Sequence, residues 1–313
     1  MKHLVLPIAL FSFLLSSCNT TYKNVESFLL MPSGAPTLAL YEEVATNNSL
    51  IVTTSPNEVK DNFLSNNYKY LVFDVINGIK FEQNNNSNYT FLSLLTGGNF
   101  HLIGLNKTIT DKPKNNDYIV GFGNENLIPN RVYNKLYNDA PVDYLLPSIN
   151  DLKNYLNSID EEGKVASNKI DRIFIAQPAL FALSNSNENF KNLLNNSINI
   201  NMREEFNKIF DQKYIPQAGL FVNKKYLEKN KEEVLSFKEK VNKMQLNAII
   251  NPVSIKETIH NYSEDLSKQT ERFGYNENIA FNLQKDNKNL FGIVNPNDNF
   301  SLEDINSFLN ILK

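Results

Sequence analysis

The chain has 313 residues, of which 42% are apolar and 21% charged, and its net charge is −3. That balance is ordinary for a globular protein and excludes a strongly basic nucleic-acid surface, because no Lys/Arg block gathers on any predicted face. One cysteine and three histidines leave no material for an internal disulfide, a multi-cysteine zinc site or a cofactor cage of His and Cys.

In chain order, Met1-Lys2-His3 is a short basic start and Leu4 to Leu15 is an apolar run. The run has signal-peptide length and is too short for a comfortable membrane span. Leu15-Ser16-Ser17-Cys18 follows, an aliphatic residue, two small ones and the only cysteine. It resembles the lipobox of bacterial lipoproteins. In that motif the small residues admit the peptidase and the thiol accepts a diacylglyceryl group. Residues 1–18 are therefore predicted to be a lipoprotein signal with its lipobox, and 19–27 a polar tether. Acyl chains such as palmitate on Cys18 would hold the chain to the outer face of the plasma membrane, at about 0.8 kcal/mol per buried methylene.

Beyond the tether, Phe28 to Met31 reads as a buried strand, followed by the turn Pro32-Ser33-Gly34-Ala35-Pro36 and a helix with Leu38, Leu40, Tyr41 and Val44 on one face. Leu50 to Val52 is a strand. Ser55-Pro56-Asn57-Glu58 has the form of a capping box, and Tyr70 to Val75 is a third strand. This strand–helix alternation predicts a parallel sheet covered by helices. Tyr89 to Leu95 and Phe100 to Leu105 flank Thr96-Gly97-Gly98-Asn99. The alternation then restarts with strands at Tyr118 to Val120, Val142 to Leu146, Ile170 to Ala176 and Gln217 to Val222. Helix starts are read at Pro129, Ser148, Asn201, Ser254 and Ser301. From Lys224 the pattern is mainly helical and is expected to return to the first lobe.

Enzymatic constellations are sparse. His101 and His260 stand alone, and no G-x-S-x-G or H-x-x-x-H occurs. Gly121-Phe122-Gly123 lacks the third glycine of a dinucleotide loop and fits a tight strand-to-helix turn. In open parallel sheets, ligands bind beyond the carboxyl ends of strands, where helix N-termini present free amides. The candidate ligand residues at such ends, or at the junction near Asn99, are Ser33, Gly34, Thr37, Asp74, Asn77, Asn99, Asn124 and Gln177. Ser33 is open to two roles, ligand contact or helix cap. Asp74 is open to pairing with a cation or to holding backbone amides. Tyr41, Phe73, Phe100 and Phe122 lie near the same loops and suit either ring stacking or the core.

Met31-Pro32-Ser33-Gly34-Ala35-Pro36-Thr37-Leu38-Ala39-Leu40 resembles the first strand–loop–helix of ABC-type solute-binding lipoproteins of the sulfonate, nitrate and thiamine-precursor branch. Leu71 to Gly78, Leu95 to Asn99, Ile170 to Leu180 and Tyr214 to Val222 resemble later segments of that family in the same order. The resemblance implies an α/β, two-lobed, type II periplasmic-binding-protein-like clamshell. Each lobe would be a mostly parallel sheet flanked by helices, with residues 28–97 plus 225–313 in lobe 1 and 98–224 in lobe 2. It also implies a monomeric, non-enzymatic subunit without cofactor or metal that captures a small solute and presents it to ABC permease subunits. Asp74 departs from the small residue or proline expected there, and Gln177 from the acidic residue common before Pro178. The rival readings are an enzyme of menaquinone or thiamine pathways on the same fold, or a surface antigen or adhesin that has lost transport.

Overall fold

A computed structural model describes residues 27–105 and 112–313. The signal, the lipobox and Cys18 lie outside the described residues.

The strands are β1 (Ser27–Pro32), β2 (Leu50–Thr53), β3 (Tyr68–Asp74), β4 (Tyr89–Thr96), β5 (Phe100–Gly104), β6 (Ile119–Phe122), β7 (Tyr144–Leu146), β8 (Lys164–Val165), β9 (Asn168–Lys169), β10 (Arg172–Ala176), β11 (Ile198–Asn201) and β12 (Ala218–Asn223). They form two five-stranded sheets, β2-β1-β3-β12-β4 and β11-β5-β10-β6-β7, beside the small hairpin β8-β9. In each sheet four strands run one way and one runs against them, β12 in the first and β5 in the second. The fold is thus α/β with two mostly parallel lobes, as the resemblance implied.

Side-chain alternation along the strands divides the core, since successive residues of a strand face opposite sides. Leu29, Met31, Tyr70, Val72, Leu220 and Val222 point to one face of the first sheet. Leu30, Leu71, Phe73 and Phe221 point to the other, and their cluster continues without a break into Leu102, Ile119 and Phe174 of the second sheet. Ile103, Val120, Ile173 and Ile175 build a separate core on the far face of that second sheet.

Helices cover these faces. On the first lobe are α1 (Ala35–Ala39), α2 (Tyr41–Thr46), α3 (Pro56–Asp61) and α4 (Val75–Gln83). On the second are α5 (Ile128–Leu136), α6 (Ile149–Leu156), α7 (Ala179–Ser186), α8 (Glu188–Leu194) and α9 (Met202–Phe210). The chain then returns through α10 (Lys224–Lys229), α11 (Lys231–Ile250), α12 (Pro252–Tyr262), α13 (Leu266–Phe273) and α14 (Glu277–Gln284), whose apolar faces join the first lobe's core.

Two lobe boundaries differ from the expected ones. Residues 218–223 were assigned to lobe 2, but β12 pairs with β3 and β4 of the first sheet. The last helix, α15 (Leu302–Ile311), lies on the second lobe, with Phe308 5.5 Å from Phe206 of α9. Local periodicity assigns a strand or helix; it does not say which sheet will receive it.

Helix starts are also partly redistributed. Ser301 and Asp304 form the expected capping box, and Ser148 accepts from the Asp151 N–H. Ser55 makes no side-chain cap: the Glu58 N–H donates to the Ser55 carbonyl at 3.1 Å, and the Glu58 carboxylate accepts the Thr53 hydroxyl at 2.6 Å. Asn251, not Ser254, caps α12.

Candidate functional site

The two sheets are joined where their strand ends meet. β4 runs through Thr96-Gly97-Gly98-Asn99 into β5, and Tyr214 to Gln217 leads back into β12. The Gly97 N–H donates to the Gly292 carbonyl (2.7 Å), Ile215 N–H to Gly97 (3.0 Å), and Gln217 N–H to Thr96 (3.0 Å). The chain near Gly292 to Val294 makes a third crossing alongside, with Ile293 bridged to Thr96. Because Ala218 pairs with both Asp74 and Thr96, and Ala176 with Phe100, the carboxyl ends of β1, β2, β3 and β4 and those of β6, β7, β10 and β11 all abut these crossings. Sheet geometry therefore concentrates the strand-end loops of both lobes around one cleft.

In lobe 1, β1 ends in a turn that needs glycine: Gly34 has φ 100° and ψ −143°. A Cβ there would meet nothing within 4 Å, so the space above it is open. The turn is braced from behind, since the Gly34 N–H donates to the Phe273 carbonyl at 3.0 Å. Gly34 is itself the residue preceding α1, and no side chain caps that helix. Ser33 is partly exposed, and its hydroxyl is not committed to the helix. Thr37 differs from expectation. It is fully buried, and its hydroxyl is directed at the Gly34 and Phe273 carbonyls, both at 2.7 Å, with the Tyr275 hydroxyl 3.1 Å away. Thr37 stitches the turn to α13; it does not face the cleft.

At the end of β3, Asp74 caps α4, its carboxylate accepting the Asn77 N–H at 2.8 Å. Asp74 and Asn77 are both partly exposed. Burial of its carboxyl group pushes the Asp74 pKa up to about 6, against the opposing pull of the Asn77 N–H, Lys80, the Ile76 N–H and Arg131.

In lobe 2, Asn99 and Gln177 are spent inside the protein. The Asn99 side-chain amide donates to the Gln177 carbonyl and accepts from Gln217 Nε2 at 2.9 Å, while the Gln177 N–H donates to the Asn99 carbonyl. Gln177 Oε1 accepts from the Phe181 N–H at 3.2 Å, and the residue is buried. Both side chains hold the β10–α7 loop to the crossing. Asn124 is exposed on the β6–α5 turn, and its Oδ1 accepts the Asn126 N–H. Gly123, with φ 83°, makes that turn, as the tight-turn reading of Gly121-Phe122-Gly123 requires. The four aromatics divide in the same way. Tyr41, Phe73 and Phe100 are buried, while Phe122 is partly covered and stacks on Phe174 with ring centroids 5.7 Å apart.

Of the eight candidates, Ser33, Gly34, Asp74, Asn77 and Asn124 remain accessible, and Thr37, Asn99 and Gln177 are structural. A further cavity of about 440 Å³ lies between the lobes. Phe181, Ala182 and Asn185 of α7 form one wall, and Asn276, Asn278 and Asn282 at α14 form the other. None of the eight lines it. Two arginines lie near the starts of helices that follow lobe 2 strand ends, Arg131 on α5 and Arg203 on α9. Of the other two arginines, Arg172 is buried against Asp117 and Arg272 donates to three carbonyls.

Both described histidines have protein partners. His101 Nδ1 is 2.8 Å from Asn199 Oδ1, and burial lowers its pKa; His260 Nδ1 is 3.0 Å from Glu277. Among the described residues no group of His, Cys, Asp and Glu is placed to hold a metal.

These two lobes and their shared cleft define the type II periplasmic-binding-protein-like fold. Among solved structures, the chain is similar to an ABC transporter protein from Parabacteroides distasonis (TM-score 0.57, 14% identity, covering 86% of this chain and 96% of that one). It is also similar to the periplasmic aliphatic sulphonate binding protein SsuA from Escherichia coli (TM-score 0.56, 9% identity, 93% and 86% covered). A third is the periplasmic nitrate-binding protein NrtA from Synechocystis PCC 6803 (TM-score 0.53, 8% identity, 84% and 70% covered). At these identities the likeness establishes the fold. No family model and no curated protein matches the sequence.

Proposed function

We propose that the protein is the extracytoplasmic solute-binding subunit of an ABC importer, tethered to the membrane by lipid on Cys18, and that it captures a small polar solute between its lobes without catalysis. The observation that carries this reading is the convergence of strand-end loops from both sheets on one cleft, with Ser33, the open Gly34 backbone, Asp74, Asn77 and Asn124 at least partly exposed on those loops. Such convergence at a topological switch point is where doubly wound sheets take ligands. Binding alone is favoured over catalysis because the histidines are engaged by Asn199 and Glu277 and the similar structures are named as binding or transport proteins. The anchor rests on the lipobox-like Leu15-Ser16-Ser17-Cys18; no helix among the described residues is long and apolar enough to cross a membrane.

Two measurements test the two halves of the reading. Native mass spectrometry of freshly purified protein is expected to show a small-molecule adduct; absence of any adduct, together with no compaction in the presence of candidate solutes, would refute solute capture. Cys18→Ala is expected to move the protein from the membrane fraction to the soluble or secreted fraction, and unchanged partition would refute the anchor.

A further inference from the structure

The cavity of about 440 Å³ between α7 and α14 holds none of the strand-end candidates, yet both lobes build it. Its volume falls within the range of about 300–1,000 Å³ typical of small-molecule sites. Cα atoms of the two helices approach within 8 Å. Each wall is held by its own lobe. α7 is seated by Leu180 and Leu183 in the core of lobe 2, and the Phe181 N–H donates to Gln177 Oε1 at 3.2 Å. α14 is seated by Ile279, Ala280 and Leu283 in the core of lobe 1, and Asn276 caps its start. A ligand between such fixed elements demands little reorganisation.

The walls mix apolar surface with amide groups. Phe181 of α7 and Ile279 of α14 supply the apolar part. Lys153 is the only charged residue of the lining, and it also lines the adjoining groove with Asn157 and Asn187. The asparagines differ in what their own helices have already used. Asn276 Oδ1 accepts the N–H groups of Asn278 and Ile279, both at 3.1 Å, which leaves its Nδ2 as a donor. Asn282 Nδ2 donates to the Asn278 carbonyl at 2.8 Å, which leaves its Oδ1 as an acceptor. The side chains of Asn185 and Asn278 are exposed and make no hydrogen bond among the described residues, so each keeps both functions.

We propose that this cavity is a second binding site, apart from the strand-end cleft, and that it takes a small uncharged carbohydrate of mono- or disaccharide size. The site stands whatever the cleft holds. An anion such as a carboxylate only accepts hydrogen bonds and sets its charge against the free Oδ1 of Asn282. An ammonium only donates, and it faces the Asn276 Nδ2 and the Lys153 cation. A hydroxyl both donates and accepts. Neighbouring hydroxyls of one sugar ring therefore pair with Asn276 and Asn282 together and leave neither amide unsatisfied, a condition that matters because an unpaired buried polar group is costly. The C–H faces of the ring cover Phe181 and Ile279, removing their apolar surface from water.

Saturation-transfer NMR of the mature protein with glucose, N-acetylglucosamine and maltose, and with acetate and methylamine as charged probes, tests this. The expected result is transfer to the ring protons of at least one saccharide and less to either charged probe. Calorimetric titration with that saccharide then compares variants. Asn185→Ala and Asn278→Ala break no intramolecular side-chain bond and should each weaken binding about 2- to 10-fold, and together about 5- to 100-fold. Transfer to none of the saccharides, preference for acetate or methylamine, or unchanged affinity in the double variant overturns the inference. A saccharide weakened by Ser33→Ala and not by the double variant also overturns it, by moving the sugar to the strand-end cleft. None of these results touches solute capture by that cleft, which the native mass spectrum of the purified protein decides.

Discussion

At the scale of single residues, Asp74 carries the clearest energetic signature. Its carboxyl is shifted from 3.8 to about 6, chiefly by burial. A carboxyl whose folded pKa is raised holds its proton more tightly in the native state. Its contribution to stability is therefore complete below pH 3.8 and is lost as pH rises through about 6. At neutral pH the ionised group opposes folding. Asp74→Asn, which keeps the cap and removes the charge, is expected to stabilise the solute-free protein at pH 7.5 by on the order of 1–3 kcal/mol. The gain should vanish near pH 4, where the native Asp74 is already neutral. Urea unfolding at both pH values decides this, and an equal loss of stability at both would show that Asp74 is only a cap. Ser33 and Gln177 provide a contrast at the same scale. Ser33→Ala should leave stability unchanged and weaken solute binding about 5- to 150-fold. Gln177→Ala should instead lower stability by about 1–3 kcal/mol, since the side chain is buried and accepts the Phe181 N–H. Melting curves of the two variants in the absence of solute separate them.

At the scale of elements, the crossing between the sheets is packed backbone against backbone. Gly292 has φ 68°, and a Cβ there would lie 2.2 Å from the Gly98 carbonyl oxygen. Gly292→Ala therefore pushes two crossing strands apart and forces a left-handed backbone on alanine. A destabilisation of about 2 kcal/mol or more is expected by chemical denaturation; a neutral effect would mean that the crossings tolerate separation. The same packing explains what was legible in the sequence. Strands such as Leu29 to Met31 and Leu71 to Phe73 are contiguous apolar runs because both of their faces are covered, so periodicity and turn residues find them. Ile198 to Asn201 was missed because only alternate positions are apolar, within an asparagine-rich stretch. The site was half legible. Strand ends locate the loops, and Ser33, Gly34, Asp74 and Asn77 on them are partly exposed. Which polar side chain at a loop is free, and which is consumed by its neighbours, depends on contacts far apart in sequence. Thr37 meets Phe273, and Asn99 meets Gln177 and Gln217. No local pattern announces such pairs.

At the scale of the whole molecule, the lobes touch at more than the crossings. α7 belongs to lobe 2 through Leu180 and Leu183, which sit in that lobe's own core. Its Phe181, partly buried, packs against the core of lobe 1. Asn276, Asn278 and Asn282 face the same helix across that cavity. α7 thus bridges the lobes at a point separate from the crossings, and the apolar area of Phe181 is covered only while the lobes are together. A solute that binds between the lobes draws on the same equilibrium, because its apparent affinity scales with the fraction of molecules able to close. Truncating Phe181 removes a contact on which closure depends without removing a group from the Ser33, Asp74 and Asn77 surface. Phe181→Ala should cost about 1–2 kcal/mol of closure, lowering the affinity for every solute by a common factor of roughly 5 to 30. The solute-free variant should show a larger radius of gyration by X-ray scattering than the wild type, and saturating solute should bring the two to the same value. A loss confined to one solute would place Phe181 in contact with ligand. Equal radii before solute is added would mean that the crossings alone set the angle between the lobes.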